Sequence, residues 1–292
     1  PTTLKIVCGG TNLYEGQLVA VALPGAKVRW HGEGEPVEMK ITEIRGVKSE
    51  GMICAAQEIG LETLTLPSPT GGEGKSDREI LDLTWTNAKP GTPMARALEL
   101  DDTVLEVEIT TNRPDAMGMI GLAREVGAIF NVKCKIKNEK LNVARDFMSR
   151  KGGTQGAALQ VRVEVPKLCP RYVGVVMDGI TVGPSPWWLQ RRLIASGVRP
   201  INNIVDITNY VLLEYGQPCH AFDAEKLHHA NRMRMEANSM QIVVRTGKKG
   251  EKILALDGNM YDLDENILVI ADSKRPIAIA GIMGGQESGV HA

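Results

Sequence analysis

Short apolar runs punctuated by turn residues open the chain, a 3.6-residue period takes over in three places in its middle, and alternation returns toward the end. LKIVCGG (4–10), GQLVAVALPGAKV (16–28) and EMKITEIRGV (38–47) are rich in Val and Ile and separated by Gly, Pro and Asn. That pattern predicts strands of a small barrel or sandwich over residues 1–95. SPTGGEGKSD (68–77) combines Gly, Ser, Pro and charge and reads as an exposed loop. In TNRPDAMGMIGLAREVGAIF (111–130), Met119, Leu122, Val126, Ile129 and Phe130 recur at helical spacing with Arg124 and Glu125 off that face. This predicts one amphipathic helix in a connecting segment, 96–135. Residues 136–158 lack periodicity and read as a linker.

From 159 to 292 a second domain is expected. LQVRVEV (159–165) and RYVGVVMDGITV (171–182) read as strands. A helix follows with Ser185 as its N-cap, Pro186 as its first residue, and an end near Ala195 before Gly197. A second runs from about Asn202 to Tyr215, with Ile204, Ile207, Val211 and Leu212 as its buried stripe. QIVVRTG, ILALDGNMYDL with an Asp257-Gly258 hairpin turn, ILVIADS and PIAIAGIMGG complete the strand pattern. HHANRMRMEANSMQ (228–241) reads as a solvated helix or loop. The fold class is therefore α+β and multidomain, a β-barrel followed by a mixed α/β domain.

Composition narrows the function classes. The 292 residues are 43% hydrophobic and 24% charged, with a net charge of −1. Disordered and fibrous classes are excluded, and a protein held to nucleic acid by bulk charge is disfavoured. Residues 1–90 hold 9 Lys/Arg against 12 Asp/Glu, so any nucleic-acid contact there is local. Five cysteines occur without a C-x-x-C pair, which leaves no zinc or thioredoxin spacing and predicts reduced thiols and no bound metal. No run reaches the roughly 18 apolar residues of a membrane span, and PTTLKIVCGG lacks a signal peptide's basic start. A cytoplasmic protein with no membrane or DNA partner is expected. No G-x-x-x-x-G-K-[ST] loop is present for ATP phosphates.

IVCGGTN (6–12) and RGVKSEGMICAAQEIGL (45–61) resemble the tRNA-binding OB-fold module of aminoacyl-tRNA synthetases. The stretch from CPRYVGV through QPCHAFDAEKL (169–227), then LDGNMYDL and VIADSKRPIAIAGIMGG, resembles the editing domain of the bacterial phenylalanyl-tRNA synthetase β subunit family. TNRPDAMGMIGLAREV is similar to the helix that joins the two modules there. The resemblance runs in family order over nearly the whole chain. It implies an N-terminal fragment, with the opening OB strand preceding Pro1 and part of the editing domain, including a carboxylate that reads tyrosine, following Ala292. It further implies tRNA(Phe) and an α subunit as partners in an α2β2 assembly, and ATP and Mg²⁺ for the whole synthetase but no cofactor in this fragment. The implied activity is hydrolysis of mischarged Tyr-tRNA(Phe). The alternative is a scaffold that positions tRNA and holds the assembly together with an inactive pocket.

The candidate site residues have plain readings beside that one. His220, after the turn set by Gly216 and Pro218, either caps carbonyls at a packed turn or is presented to a pocket. The resemblance places it in the editing pocket, orienting water or ester. Arg199, between Gly197 and Pro200, is a solvated cation on a rigid connection or, by resemblance, a catalytic-site guanidinium for phosphate or ribose. Pro218 would shape the pocket wall, and Ala280 and Asn209 are further implied substrate-binding positions. The resemblance makes Gly284 the residue that keeps the amino-acid pocket open; it also reads as a turn glycine with positive φ, and the two readings are compatible. Asn202, Asn203, Asp206 and Asn209 are read mainly as caps and structural hydrogen-bond partners. Trp187 and Trp188 are read as packing rather than base stacking. No Ser-His or Cys-His nucleophile is indicated, so direct attack by water is expected, with the tRNA ribose hydroxyl as an available helper.

Overall fold

The computed structural model describes residues 3–61, 79–132, 159–227 and 240–290. The expected loop 68–77, the linker 136–158 and residues 228–239 of the basic segment lie outside them. The chain divides into two compact units, 1–108 with 184–206, and 109–183 with 207–292. The mixed α and β, multidomain class is as expected. Among the described residues no helix is long and apolar enough to cross a membrane.

In the first unit the strands are short: β1 Val21–Ala22, β2 Lys27–Val28, β3 Val37–Glu38, β4 Thr42–Ile44, β5 Val47–Ser49 and β6 Met52–Ile53. They pair antiparallel as β1–β6, β2–β3 and β4–β5, with an isolated bridge between Val19 and Asp82. No closed barrel forms among the described residues. The β4–β5 hairpin turns on Arg45 and Gly46, both at positive φ (52° and 76°), the backbone of a two-residue turn that follows strand twist. LKIVCGG is not a strand. Two of its amides are taken by side chains, Lys5 N by Glu50 Oε2 (3.1 Å) and Val7 N by Ser49 Oγ (3.1 Å), where a ladder would have used a neighbouring backbone.

Ala20, Ala22, Val28, Cys54, Leu61, Leu81, Leu83 and Leu98 form this unit's core. Helix α1, Met94–Ala97, leads into Leu98. A later helix returns to the same core, with Trp187 packed on it, Trp187 Nε1 donating to Leu98 O (2.9 Å) and the Trp85 ring edge-on at 6.0 Å. Trp187 is thus packing, as read; Trp188 stays half exposed beneath the Arg192 guanidinium.

That helix, designated below as α3 (Trp187–Ala195), begins one residue later than expected. Pro186 occupies the N-cap with extended backbone (ψ 147°) and no side chain caps the helix. Ser185 is diverted: its hydroxyl donates to the buried Asp206 carboxylate (2.5 Å), while Gln190 Nε2 donates to Ser185 O (2.7 Å). The following helix, α4, spans Asn203–Tyr215 and is capped by Asn202 Oδ1, which accepts from the amides of Ile204 and Val205. Its expected apolar stripe is not what it buries. Ile207 and Leu212 are exposed, and Asp206, 1% exposed, is the deepest residue. The reason is local: Asp206 also accepts from Ile201 N (2.8 Å), so a hydrogen-bonded carboxylate fixes the helix start where an apolar contact was expected.

The second unit contains α2, Met119–Ile129, after a single turn at Pro114–Met117. The helix is where the period placed it, but Met119, Val126, Ile129 and Phe130 are each half or more exposed. Gly121 is the buried residue of this helix. A Cβ there would overlap the Asp115 carbonyl, and one at Gly118 would lie 2.8 Å from Gly216 N. Close backbone approach, not an apolar stripe, docks α2. Gly121→Ala is therefore expected to lower stability by about 2 kcal/mol, since backbone must move to admit the methyl; denaturant melts of the two chains check this, and an unchanged midpoint would remove the argument.

Strands β7 Leu159–Val163, β8 Met240–Thr246, β11 Leu268–Ala271, β12 Pro276–Ile279 and β13 Met283–Gly284 form a sheet in the order β13-β12-β11-β8-β7. Only the β7–β8 pair is parallel. β9 Glu251–Leu254 and β10 Met260–Leu263 make the expected hairpin, whose turn is locked by Asp257 accepting from Asn259 N, Asn259 Nδ2 and Tyr261 Oη. Side-chain alternation gives the sheet two apolar faces. Ile242, Ile270 and Ala278 pack with Leu227 and Phe222 on one; Val269 and Ile279 pack with Ile253 and Leu263 of the hairpin on the other. RYVGVVMDGITV is not a strand: Tyr172 packs inward, but Val173, Val175, Met177 and Ile180 are exposed, and no ladder partner meets the segment among the described residues.

Candidate functional site

Helix α4 ends at Tyr215 because Gly216 adopts φ +71° while its amide still bonds Leu212 O (2.8 Å). The chain then turns through Pro218, which offers no N–H, into a strap, 217–227, laid along the sheet. Its fixed points are specific. Phe222 and Leu227 enter the apolar face of the sheet, and Asp223 N donates to Ser288 O (3.0 Å). The Asp223 carboxylate caps the short turn Ala224–Lys226 by accepting from Glu225 N.

His220 stands at the start of this strap with its ring against Gly284 of β13. A Cβ at Gly284 would come 2.5 Å from His220 Cε1, 2.7 Å from Nε2 and 3.1 Å from Leu256 Cδ1. Gly284 does not have positive φ. It sits in a ladder with Ala278, and its carbonyl accepts from Leu256 N (3.0 Å). The turn-glycine reading is thus corrected: absence of a side chain, not left-handed backbone, is what this position uses. On its other side the imidazole meets Phe222 edge-on, with ring centroids 4.6 Å apart and planes at 68°. His220 as a residue is exposed, while the packing of its ring against Phe222 and Gly284 lowers its pKa from the ordinary imidazole value by desolvation. Among the described residues no side chain hydrogen-bonds it, so no Ser-His or Cys-His dyad is formed there.

Of the other sequence candidates, Pro218 is exposed two residues before His220. Ala280 is half-buried in the same apolar cluster as Phe222, its amide bonding Leu268 O (2.9 Å). Asn209 is half-buried on α4. Arg199 belongs to the first unit, exposed between Gly197 at φ +76° and the buried Pro200. Of the polar residues read as structural, Asn202 caps α4 and Asp206 braces its start. Three residues of the site escaped the sequence reading: Leu256, Phe222 and Ser288. The H-A-F spacing carries a signal for Phe222, since alternate residues of an extended strap share a face. Leu256 and Ser288 come from segments 36 and 68 residues away from His220, and nothing local marks them. No three described His, Cys, Asp or Glu side chains are grouped to hold a metal ion.

The mixed α and β arrangement in two units is consistent with two family matches. Residues 2–75 match the family described as "Putative tRNA binding domain", and residues 168–292 match the B3/4 domain. The chain is thus a two-module protein of the kind found in tRNA synthetases. It is 41% identical over 286 residues to the phenylalanine-tRNA ligase beta subunit of Carboxydothermus hydrogenoformans, covering 98% of this chain and 32% of that protein. The corresponding subunit of Moorella thermoacetica is 42% identical over 282 residues, covering 97% and 32%. The chain belongs to the phenylalanine-tRNA ligase beta subunit family and matches its N-terminal region. It spans about a third of the length of these relatives.

Proposed function

We propose that this chain carries the tRNA-contacting and editing region of a phenylalanine-tRNA ligase β subunit, working in the cytoplasm with an α subunit as α2β2. The single observation that carries the reading is the apposition of the imidazole of an exposed histidine and a bare glycine within the B3/4-matching half. Editing meets a physical need. A pocket shaped for phenylalanine rejects the added hydroxyl of tyrosine by only about 10². A second site whose polar groups hydrogen-bond that hydroxyl reverses the preference, because those groups stay unpaired with phenylalanine.

In this reading the ester of Tyr-tRNA(Phe) lies over Gly284, Leu256 offers the aromatic ring an apolar wall, and His220 orients the attacking water through a ring nitrogen. Water adds to the ester carbonyl, the ribose oxygen leaves with a proton, and tyrosine and tRNA separate with no covalent enzyme intermediate. Pro218, Ala280 and Asn209 contribute to the substrate surface, and Arg199, on the first unit, is proposed to bind tRNA phosphate or ribose. Activation of phenylalanine with ATP and Mg²⁺ is assigned to the α partner.

The test is release of tyrosine from Tyr-tRNA(Phe), with Phe-tRNA(Phe) as control, by the full-length subunit assembled with its α partner. His220→Ala is expected to slow tyrosine release by about 10²-fold and leave phenylalanine charging intact. The competing reading is a scaffold that positions tRNA without hydrolysing its ester. A wild type that releases no tyrosine selectively would select it, and equal selective release by both forms would place the cleavage away from His220.

A further inference from the structure

The spacing between His220 and Gly284 depends on how the strap is held to the turn that follows β13. Three ties end in that turn. Asp223 N donates to Ser288 O (3.0 Å), Lys226 Nζ donates to Gly289 O (2.9 Å), and Arg275 pairs with Glu287 while its Nη2 approaches Lys226 O (3.4 Å). The last two involve side chains that reach water, with Lys226 36% and Glu287 62% exposed, and such ties are weak and screened. The first is buried: Ser288 is 1% exposed.

Ser288 also faces the other way. Its hydroxyl lies 3.0 Å from Ile277 O on β12 and 3.2 Å from Gly285 O, next to Gly284. The turn's own backbone bonds are long, Ser288 N to Gly285 O at 3.4 Å and Gly289 N to Gln286 O at 3.4 Å. Beside the Gly285 amide, which donates to the same Ile277 O (2.8 Å), the Ser288 hydroxyl is the side-chain tie of the turn to the sheet, while the same residue's carbonyl holds the strap. Phe222 adjoins Asp223 in sequence and touches the imidazole edge-on, so a shift at Asp223 passes to the ring through one rigid side chain.

We propose that Ser288 is a positioning residue that sets the distance of the His220 imidazole from Gly284 by bridging the strap to the glycine strand. Its consequence for catalysis rests on the ester-hydrolysis reading above, but its effect on the imidazole does not. Without the hydroxyl, the turn relaxes from β12, the strap follows, and His220 regains water on the face it now turns to Gly284.

The test follows the His220 ring titration by NMR in the histidine-labelled chain, with His220→Gln to assign the resonance, for wild type, Ser288→Ala and Ser288→Cys. Ser288→Ala is expected to move the His220 midpoint up toward the ordinary value of about 6.5 and to speed exchange of the Asp223 amide. Ser288→Cys, similar in volume with a weaker donor, is expected to fall between the two and covers the case in which the alanine chain does not fold. In the full-length enzyme the alanine change is expected to lower kcat for tyrosine release about tenfold, with KM little changed. A His220 midpoint that stays put in folded Ser288→Ala or Ser288→Cys chains would overturn the proposal. A midpoint that moves in an enzyme whose wild type releases no tyrosine would leave the bridge standing and sink the editing reading instead.

Discussion

Gly284→Trp in the full-length subunit, assembled with its α partner, is expected to cut release of tyrosine from Tyr-tRNA(Phe) by about 10²-fold or more, with phenylalanine charging intact. The reason is contact at a single atom. A Cβ at this position already falls 2.5 Å from His220 Cε1 and 3.1 Å from Leu256 Cδ1, closer than carbon atoms pack. With alanine the imidazole, a side chain free to rotate, swings aside at little cost to stability. With tryptophan the indole must also take the space over the glycine, where the ester would lie. Alanine and tryptophan therefore separate two effects. Alanine moves the His220 titration toward its ordinary value and lowers hydrolysis partially, while tryptophan removes the site. Selective release that survives Gly284→Trp would mean that the ester is cleaved elsewhere.

Glu251→Ala is expected to have the largest effect on stability, a loss of about 3 kcal/mol read from denaturant melts, because one member of a nearly buried pair is left alone. Glu251 Oε1 and Oε2 accept from Arg245 Nη2 (2.6 Å) and Nη1 (2.8 Å), and the side chains are 15% and 10% exposed. Oε2 also accepts from Lys248 N (3.0 Å), closing the β8–β9 turn. The guanidinium bonds hold the Glu251 carboxyl below its usual range. A depressed carboxyl pKa gives stability that is full above the unfolded-state value of about 4.3 and is lost as pH falls through the folded-state value. The wild-type melting midpoint should therefore drop with acidification in that window, and the drop should be smaller in Glu251→Ala, whose loss of stability is already present at pH 7. An identical acid dependence in the two chains would show that this pair contributes nothing to it.

Much of the local structure was legible because it is decided locally. The period at 119–130, the stop at Gly197, the cap at Asn202 and the Asp257-Gly258 hairpin depend on backbone preference and near neighbours, and each element lies where its residues put it. The errors share a cause. LKIVCGG and RYVGVVMDGITV have strand composition, but a strand needs a partner: the first had two amides taken by Ser49 and Glu50 side chains, and the second met no ladder among the described residues. The stripe read on α4 had helical spacing, yet what the helix buries is Asp206, whose hydroxyl partner lies 21 residues earlier. Periodicity reports which residues could be buried together; it carries no information on which face finds a neighbour.

The candidate site divides along the same line. The chain alone determined that a histidine would follow a Gly-Pro turn, that a glycine pair would end the strand pattern, that the chain would be mixed α and β, and, through its motif order, which family it joins. Only the tertiary structure decided that His220 and Gly284, 64 residues apart, share one contact, that Gly284 is bare for space and not for its φ, and that Phe222, Leu256 and Ser288 frame the pair. These are distances between segments joined by long stretches of chain. They are set by how two faces of a sheet are covered and by a few buried hydrogen bonds, a balance of packing that no short window of residues contains.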